Sequence, residues 1–216
     1  LIFSVKIISQ NLNKSSFMNL KTITSGFKYI YNNQVLFGVI SLDLFAVLLA
    51  GAVALLPVYA RDILDAGPIA LGILRSAPAI GAVLVGLYLA VYPIKKNSGI
   101  ILLIAVAFFG VVTIIFGISK NILISIFFLV LVGAFDMLSV YIREVLIQLR
   151  TEDYMRGKVN AINGMFIGAS NELGEFRAGF MASGIGAVPT VVIGGAGAIL
   201  VSGVWYFIFP KLRNIS

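Results

Sequence analysis

The stretch GIILLIAVAFFGVVTIIFGIS at Gly99–Ser119 contains no charged residue and no proline. A helix needs roughly 20 predominantly apolar residues to cross a hydrocarbon core of about 30 Å, and this stretch is long enough. Five further stretches are similarly long and apolar. They are continuous runs and not the alternating patterns of barrel strands, so helices are predicted. The sequence predicts an all-α polytopic membrane protein with six transmembrane helices at 35–60, 71–94, 99–119, 122–142, 159–183 and 188–209.

The composition agrees with a membrane protein. Of the 216 residues, 60% are hydrophobic and 12% are charged, and the mean hydropathy is +1.04. A soluble domain is about half apolar and a quarter charged. The absence of cysteine removes disulfides and thiol nucleophiles, and the absence of histidine removes the commonest metal ligand. With no nucleotide-binding loop either, the sequence predicts no enzyme, no metal site and no cofactor.

The net charge of +7 is explained by its position along the chain. Alternate segments between the predicted spans carry 12 basic residues on one side of the membrane and 2 on the other. Because Lys and Arg concentrate in cytoplasmic loops, both chain ends are expected in the cytoplasm. The basic residues are spread over four segments, which argues against nucleic-acid binding.

Residues 1–34 precede the first predicted span. The sequence begins LIFSVK, which is interpreted as the end of a preceding helix, so the chain is expected to be a fragment. Apolar residues from Phe17 to Ile30 then recur at spacings of three and four, which predicts a helix at the membrane surface within a cytoplasmic linker. Residues 210–216 are predicted to form a cytoplasmic tail.

Charged residues inside the spans suggest an internal repeat. The first, second, fourth and fifth spans contain them, whereas the third and sixth do not. These residues are Asp43, Arg75, Asp136, Glu172, Glu175 and Arg177. Because an ionisable group at the bilayer centre costs about 2.5–3.5 kcal/mol, such spans are expected to face protein or water. The pattern predicts a 3+3 inverted repeat, with the third and sixth spans facing lipid.

The four acidic residues inside the spans, together with Asn171 and Arg177, are the candidates for a substrate or proton pathway. Without histidine, proton coupling would require Asp43, Asp136, Glu172 or Glu175; the alternative is that each is a permanently ionised partner of Arg75, Arg143 or Arg177. Asn171 and Glu175 lie on a stripe of polar and small residues along the fifth span. Substrate contact and tight helix packing explain this stripe equally well.

Four sequence runs resemble the C-terminal half of a major facilitator superfamily transporter, in the branch of the enterobactin exporter and transmembrane secretion effectors. The runs are SLDLFAVLLAGAVALLPVYARDIL at Ser41–Leu64, LGILRSAPAIGA at Leu71–Ala82, MRGKV at Met155–Val159 and FIGASNELGEF at Phe166–Phe176. One departure is the Gly86–Gly99 segment, which lacks the acidic residue common in the family's loop between the second and third helices. The loop between the second and third spans is therefore not expected to have the gating role that it has in the family.

The resemblance implies half of a twelve-helix transporter in a bacterial inner membrane. By alternating access, such a transporter would export a small molecule in exchange for protons. It implies a missing N-terminal six-helix half, a small-molecule substrate such as a siderophore or drug, and the lipid bilayer as partners. The long connection between the fourth and fifth spans supplies gating candidates, namely Arg143, Arg156 and Lys158. The alternative function is a self-contained six-helix protein that acts as a homodimeric channel or scaffold.

Overall fold

The computed structural model describes residues 20–51 and 53–215, and within these residues the chain is helical without any strand. The predicted end of a preceding helix and the linker up to residue 19 lie outside the described residues. The helices are α1 (Leu20–Asn32), α2 (Gln34–Ala50), α3 (Leu56–Val58), α4 (Pro68–Val91), α5 (Ser98–Ile118), α6 (Ile122–Arg150), α7 (Asp153–Ile185), α8 (Ala187–Ile208) and α9 (Pro210–Arg213).

Local signals in the sequence set several helix starts. The side chains of Asn33 and Asn121 accept hydrogen bonds from the first free backbone N–H groups of α2 and α6, respectively. Pro68 begins α4, where its missing N–H costs nothing. Gly186 joins α7 to α8 with a φ of 90°, which a side chain rarely tolerates. Gly186 is therefore the single residue between α7 and α8.

The helices pack into a bundle with α5 enclosed between α6 and α8. The helix α4 packs along α6, where Gly81 and Gly133 bring the two backbones together. A Cβ atom at Gly81 would meet the backbone of Val130, and one at Gly133 would meet the backbone of Pro78. Small residues at such crossings allow the close approach that drives helix association in membranes.

The described part of the chain has five helical segments that are long and apolar enough to span a membrane. They are Gln34–Ile63, Pro68–Val91, Ser98–Ile118, Ile122–Arg150 and Ala187–Ile208. The fifth predicted span, 159–183, lies within α7, which at 33 residues is long enough but more polar than the others. The six-span count and the inverted repeat stay predictions, and the multi-pass helical membrane fold is confirmed.

The amphipathic segment predicted before the first span forms α1, which lies against α7. Ile30 of α1 is buried, and the ring of Phe27 meets that of Phe166 edge-on, with centroids 5.6 Å apart. Gly26 allows this approach, because a Cβ atom there would lie 2.5 Å from the end of Ile162. The helix α1 is thus attached to the bundle along its apolar face.

Candidate functional site at a break in the first span

The first membrane span is a broken helix. Regular α-helix stops at Ala50, and Gly51 leaves helical geometry with a ψ of 88°. Beyond the break the chain forms a 3₁₀ turn at Val53–Leu55, then α3, and then a π-helical turn at Tyr59–Ile63. Non-helical backbone at membrane depth is tolerated where it is buried in protein or lines a water-filled cavity. Leu55 and Leu56, just beyond the break, are buried, so part of the irregular backbone is enclosed by protein.

Arg177 supports the broken end of α2. Its guanidinium donates hydrogen bonds to the backbone oxygens of Leu48, at 2.9 Å, and of Leu49. These oxygens belong to the last turn of α2, where carbonyl groups lose their partners along the helix. The positive charge also interacts favourably with the negative end of the helix dipole. Arg177 was predicted as a pathway candidate or as the partner of a carboxylate. In the structure its guanidinium caps the end of α2.

A cavity of about 170 Å³ opens beside the break. Its wall combines the end of α2 and the chain beyond it with Pro78 of α4 and with residues of α5, α6 and α7. Most of the lining is apolar, and the polar side chains are those of Thr113, Asp136, Asn171 and Glu175. The hydroxyl of Thr113 already donates to the backbone oxygen of Phe109 at 2.7 Å. The two carboxyl groups and the amide are therefore the chemically available groups.

The structure thus brings together three of the residues that the sequence singled out. Asp136 comes from α6, whereas Asn171 and Glu175 lie one helical turn apart on α7. Glu172 is exposed elsewhere on α7 and does not line the cavity. The helix α5 contributes Phe109 to the wall, so the third span lines an interior in addition to any lipid contact.

The stripe on α7 is not a tight packing surface within the described part of the bundle. Asn171 and Glu175 are exposed, and a Cβ atom at Gly164, Gly168 or Gly179 would meet nothing within 4 Å. Where α7 does approach α2, it uses Gly174, whose added Cβ would lie 3.0 Å from the backbone oxygen of Val47. The packing face and the polar stripe are therefore different faces of α7.

A second group of charges links α2, α6 and α7 nearby. Arg143 is only 4% exposed and forms an ion pair with Asp43, whose side chain is 15% exposed. Its Nε atom lies 3.6 Å from a carboxylate oxygen of Glu144, to which Asn163 of α7 donates a hydrogen bond of 2.9 Å. Asp43 thus contacts Arg143, one of the three arginines considered as its partner. Asp136 lies within electrostatic range of both Asp43 and Arg143.

The connection between the fourth and fifth spans, predicted to hold the gating residues, is much shorter than the predicted range of 143–158. Since α6 continues to Arg150 and α7 begins at Asp153, only Thr151 and Glu152 connect them. Arg143 consequently lies inside α6 and not in a loop, which corrects its predicted location. Two further residues of that candidate set, Arg156 and Lys158, lie in the first turns of α7.

These two basic side chains have partners of different kinds. Arg156 pairs with Asp153 at 2.9 Å on the same helix, and remains about half exposed. Lys158 donates to Ser25 of α1 at 3.3 Å. The hydroxyl of Tyr29 on α1 also accepts the backbone N–H of Glu152 at 3.2 Å. The connection between α6 and α7 is thus held by α1.

Sequence reasoning missed Glu144 and Asn163. Glu144 could have been found by continuing the helical periodicity past Ile142, because Leu146 and Ile147 return to the buried face of the same helix. Arg143 and Glu144 were interpreted as the end of the fourth span. A charged side chain that is buried against a partner can nevertheless lie inside a helix, and α6 continues to Arg150. Asn163 lies on α7, and its contact with Glu144 depends on how α6 and α7 pack together.

Comparison with known protein families identifies the family to which the chain belongs. The fold defines a multi-pass helical membrane protein, and the model of a family described as transmembrane secretion effector matches residues 4–216. The chain belongs to this family, whose members are transporters of the major facilitator type. No curated protein and no solved structure matches the chain. The resemblance inferred from the four sequence runs is thus confirmed at the level of the family.

Proposed function

We propose that the chain is the C-terminal half of a secondary transporter that exports a small molecule by alternating access and is coupled to protons. The observation that carries the proposal is the convergence of Asp136 and Glu175 on one cavity beside a broken span. In transporters, binding sites typically lie where discontinuous helices meet near the bilayer midplane. Membership of a transporter family supports the same activity.

The two cavity carboxyl groups are better suited to proton exchange than Asp43. Within residues 20–51 and 53–215, Asp136 and Glu175 form no ion pair, whereas Asp43 is held by Arg143. The guanidinium of Arg143 competes with a proton for the carboxylate of Asp43. A carboxyl group that faces a cavity can alternate between a proton and a substrate. We assign proton coupling to Asp136 and Glu175, and a structural role to Asp43.

The charges of the cavity also favour a substrate that carries a positive charge. Two acidic side chains and no basic side chain line it. The aromatic rings of Phe109 and Phe116 add an apolar wall that suits a hydrophobic cation. Proton and cation would compete for the same carboxylates, which couples their movements in opposite directions.

The outward face of α7 supports the proposed missing N-terminal half. Asn160, Asn171 and Glu172 are exposed on this helix although much of it lies at membrane depth in the predicted topology. Polar groups that face hydrocarbon are costly, so such a face requires protein or water beside it. A second six-helix half, packed around a central water-filled passage, would provide both. The proposal places the whole protein in a bacterial inner membrane with both ends in the cytoplasm.

Proton-coupled export is tested in inside-out vesicles that contain the full gene product and a pH-sensitive dye. After the lumen is acidified, tetraphenylphosphonium, ethidium, enterobactin and lactose are added separately, and proton release is recorded. We expect release with at least one compound and a loss of at least tenfold, about 1.4 kcal/mol, in Glu175→Gln and Asp136→Asn. Glu172→Gln is the matched control and should retain wild-type release.

Wild-type release in both cavity variants would contradict the assignment of the carboxyl groups. Failure of all four compounds to release protons would count against proton-coupled export of these chemical classes. A response to enterobactin alone, with Glu175 still required, would keep the transport function and refute the preference for cations.

The homodimeric channel or scaffold is distinguished by a cross-link. Because this chain has no cysteine, Gly168→Cys introduces one on the exposed stripe of α7. In a homodimer built on this face, oxidation would yield a disulfide-linked dimer. The transporter proposal expects no such dimer, since this face would meet the other half of the same protein.

A further inference from the structure

An apolar groove separate from the cavity runs between α1 and α2 and is closed at one side by α7. Its volume is about 500 Å³. Its walls are mainly aromatic and aliphatic, and they include Phe27, Tyr31, Phe37, Leu44, Phe45 and Phe166. We call this feature the α1 groove. Because it continues along the first membrane span, hydrocarbon chains are the medium that surrounds it.

The charge at the α1 groove is positive. Lys28 lines it, is exposed, and is accompanied by no acidic side chain in the lining. The ammonium group projects from a helix whose apolar face is docked on the bundle, as in helices that lie at a membrane surface. Basic pockets between helices on the cytoplasmic side of a membrane bind anionic lipid headgroups. The groove thus combines a site for an acyl chain with a site for a phosphate.

We infer that the α1 groove binds an anionic glycerophospholipid, with one acyl chain in the groove and its phosphate at Lys28. An occupant with an acyl chain fits the shape and medium of the groove better than a polar peptide, which would leave its backbone groups unsatisfied against the aromatic wall. The bound lipid would join α1 to α2 and so stabilise the docked position of α1.

The chain contains its own reporter for this lipid. Trp205 is its single tryptophan and lies beside the groove. The indole ring centroid is 5.4 Å from that of Phe45, and its Nε1 atom donates to the hydroxyl of Ser41 at 3.1 Å. Both partners line the α1 groove. A brominated acyl chain in the groove would therefore quench the fluorescence of Trp205 at short range.

The experiment uses the full chain in phosphatidylcholine bilayers, with increasing fractions of dibrominated phosphatidylglycerol or dibrominated phosphatidylcholine. We expect phosphatidylglycerol to quench Trp205 with an apparent affinity about fivefold higher, the effect of one basic residue near a membrane surface. Lys28→Gln should abolish this difference. Lys120→Gln, at the other end of the bundle, is the control and should preserve it.

Three results would overturn the inference. Equal quenching of the wild-type protein by both lipids would remove the anionic selectivity, and selectivity that persists in Lys28→Gln would place the phosphate elsewhere. An absence of quenching by either lipid would mean that another occupant, such as the N-terminal segment of the chain, excludes acyl chains. None of these results depends on transport, so the proposed function is tested separately.

Discussion

The ion pair between Asp43 and Arg143 allows a quantitative prediction. Arg143 is 4% exposed, and its pairing with Asp43 joins α6 to α2. Replacing Asp43 with Asn leaves the guanidinium buried without its ion pair, with Glu144 at 3.6 Å and Asp136 within electrostatic range. Glu144 is already engaged by Asn163. Removal of one partner from a buried pair costs about 3–5 kcal/mol. Because Glu144 retains part of the attraction, we expect the lower end, about 3 kcal/mol.

A loss of about 3 kcal/mol corresponds to a decrease in Tm of roughly 6–12 °C, at about 2–4 °C per kcal/mol for a domain of this size. Thermal unfolding of the purified protein in detergent, followed by circular dichroism, measures this decrease for Asp43→Asn. The double variant Asp43→Asn with Arg143→Met removes both charges and should recover most of the loss, because no unpaired charge remains.

An unchanged Tm in Asp43→Asn would refute the structural role of the pair. A double variant as unstable as the single one would show that the loss comes from packing and not from an uncompensated charge. Either result would return Asp43 to the group of proton-carrying candidates.

Further substitutions test the packing and the helix break, each by the Tm of the purified protein. Gly133→Ala places a Cβ atom against the backbone of α4 and should cost about 1–3 kcal/mol, whereas Gly72→Ala, which meets nothing within 4 Å, should cost nothing. Arg177→Met exposes the carbonyl groups at the end of α2 and should cost about 1–3 kcal/mol, and an unchanged Tm would mean that the cap is dispensable. Tyr59→Phe removes a buried 2.8 Å hydrogen bond to Gly117 and should cost about 0.5–1.5 kcal/mol, and an equal loss in the exposed control Tyr88→Phe would contradict this reasoning.

The sequence predicted those features that depend on periodicity. The apolar runs identified five spans that the structure bears out, because an apolar run of this length has few alternatives to a membrane helix. The same periodicity on α7 placed Asn171 and Glu175 on one face, and both line the cavity. The approach of Asp136 from α6 depends on how the helices pack, and a single sequence does not reveal it.

The features that were missed are tertiary in origin. The broken end of α2 is capped by Arg177, which lies on another helix and is 126 residues from Gly51 in the sequence. The length of α6 depends on Asp43, because a buried partner allows Arg143 to remain inside the helix. Propensity and hydropathy describe each helix alone, so they do not contain these long-range dependencies.

The central claim is that Asn171 faces a water-filled cavity where Asp136 and Glu175 exchange protons. Asn171→Cys adds a thiol to these 216 residues, which contain no cysteine. Its rate of reaction with a charged methanethiosulfonate reagent is measured in intact membranes, over the background of the unsubstituted protein. The control is Leu200→Cys on the exposed apolar face of α8. The account predicts that Asn171→Cys reacts at least tenfold faster than the control and slows when a transported cation is added. A rate as slow as that of the control would show that this face of α7 meets lipid or packed protein, and would contradict the account.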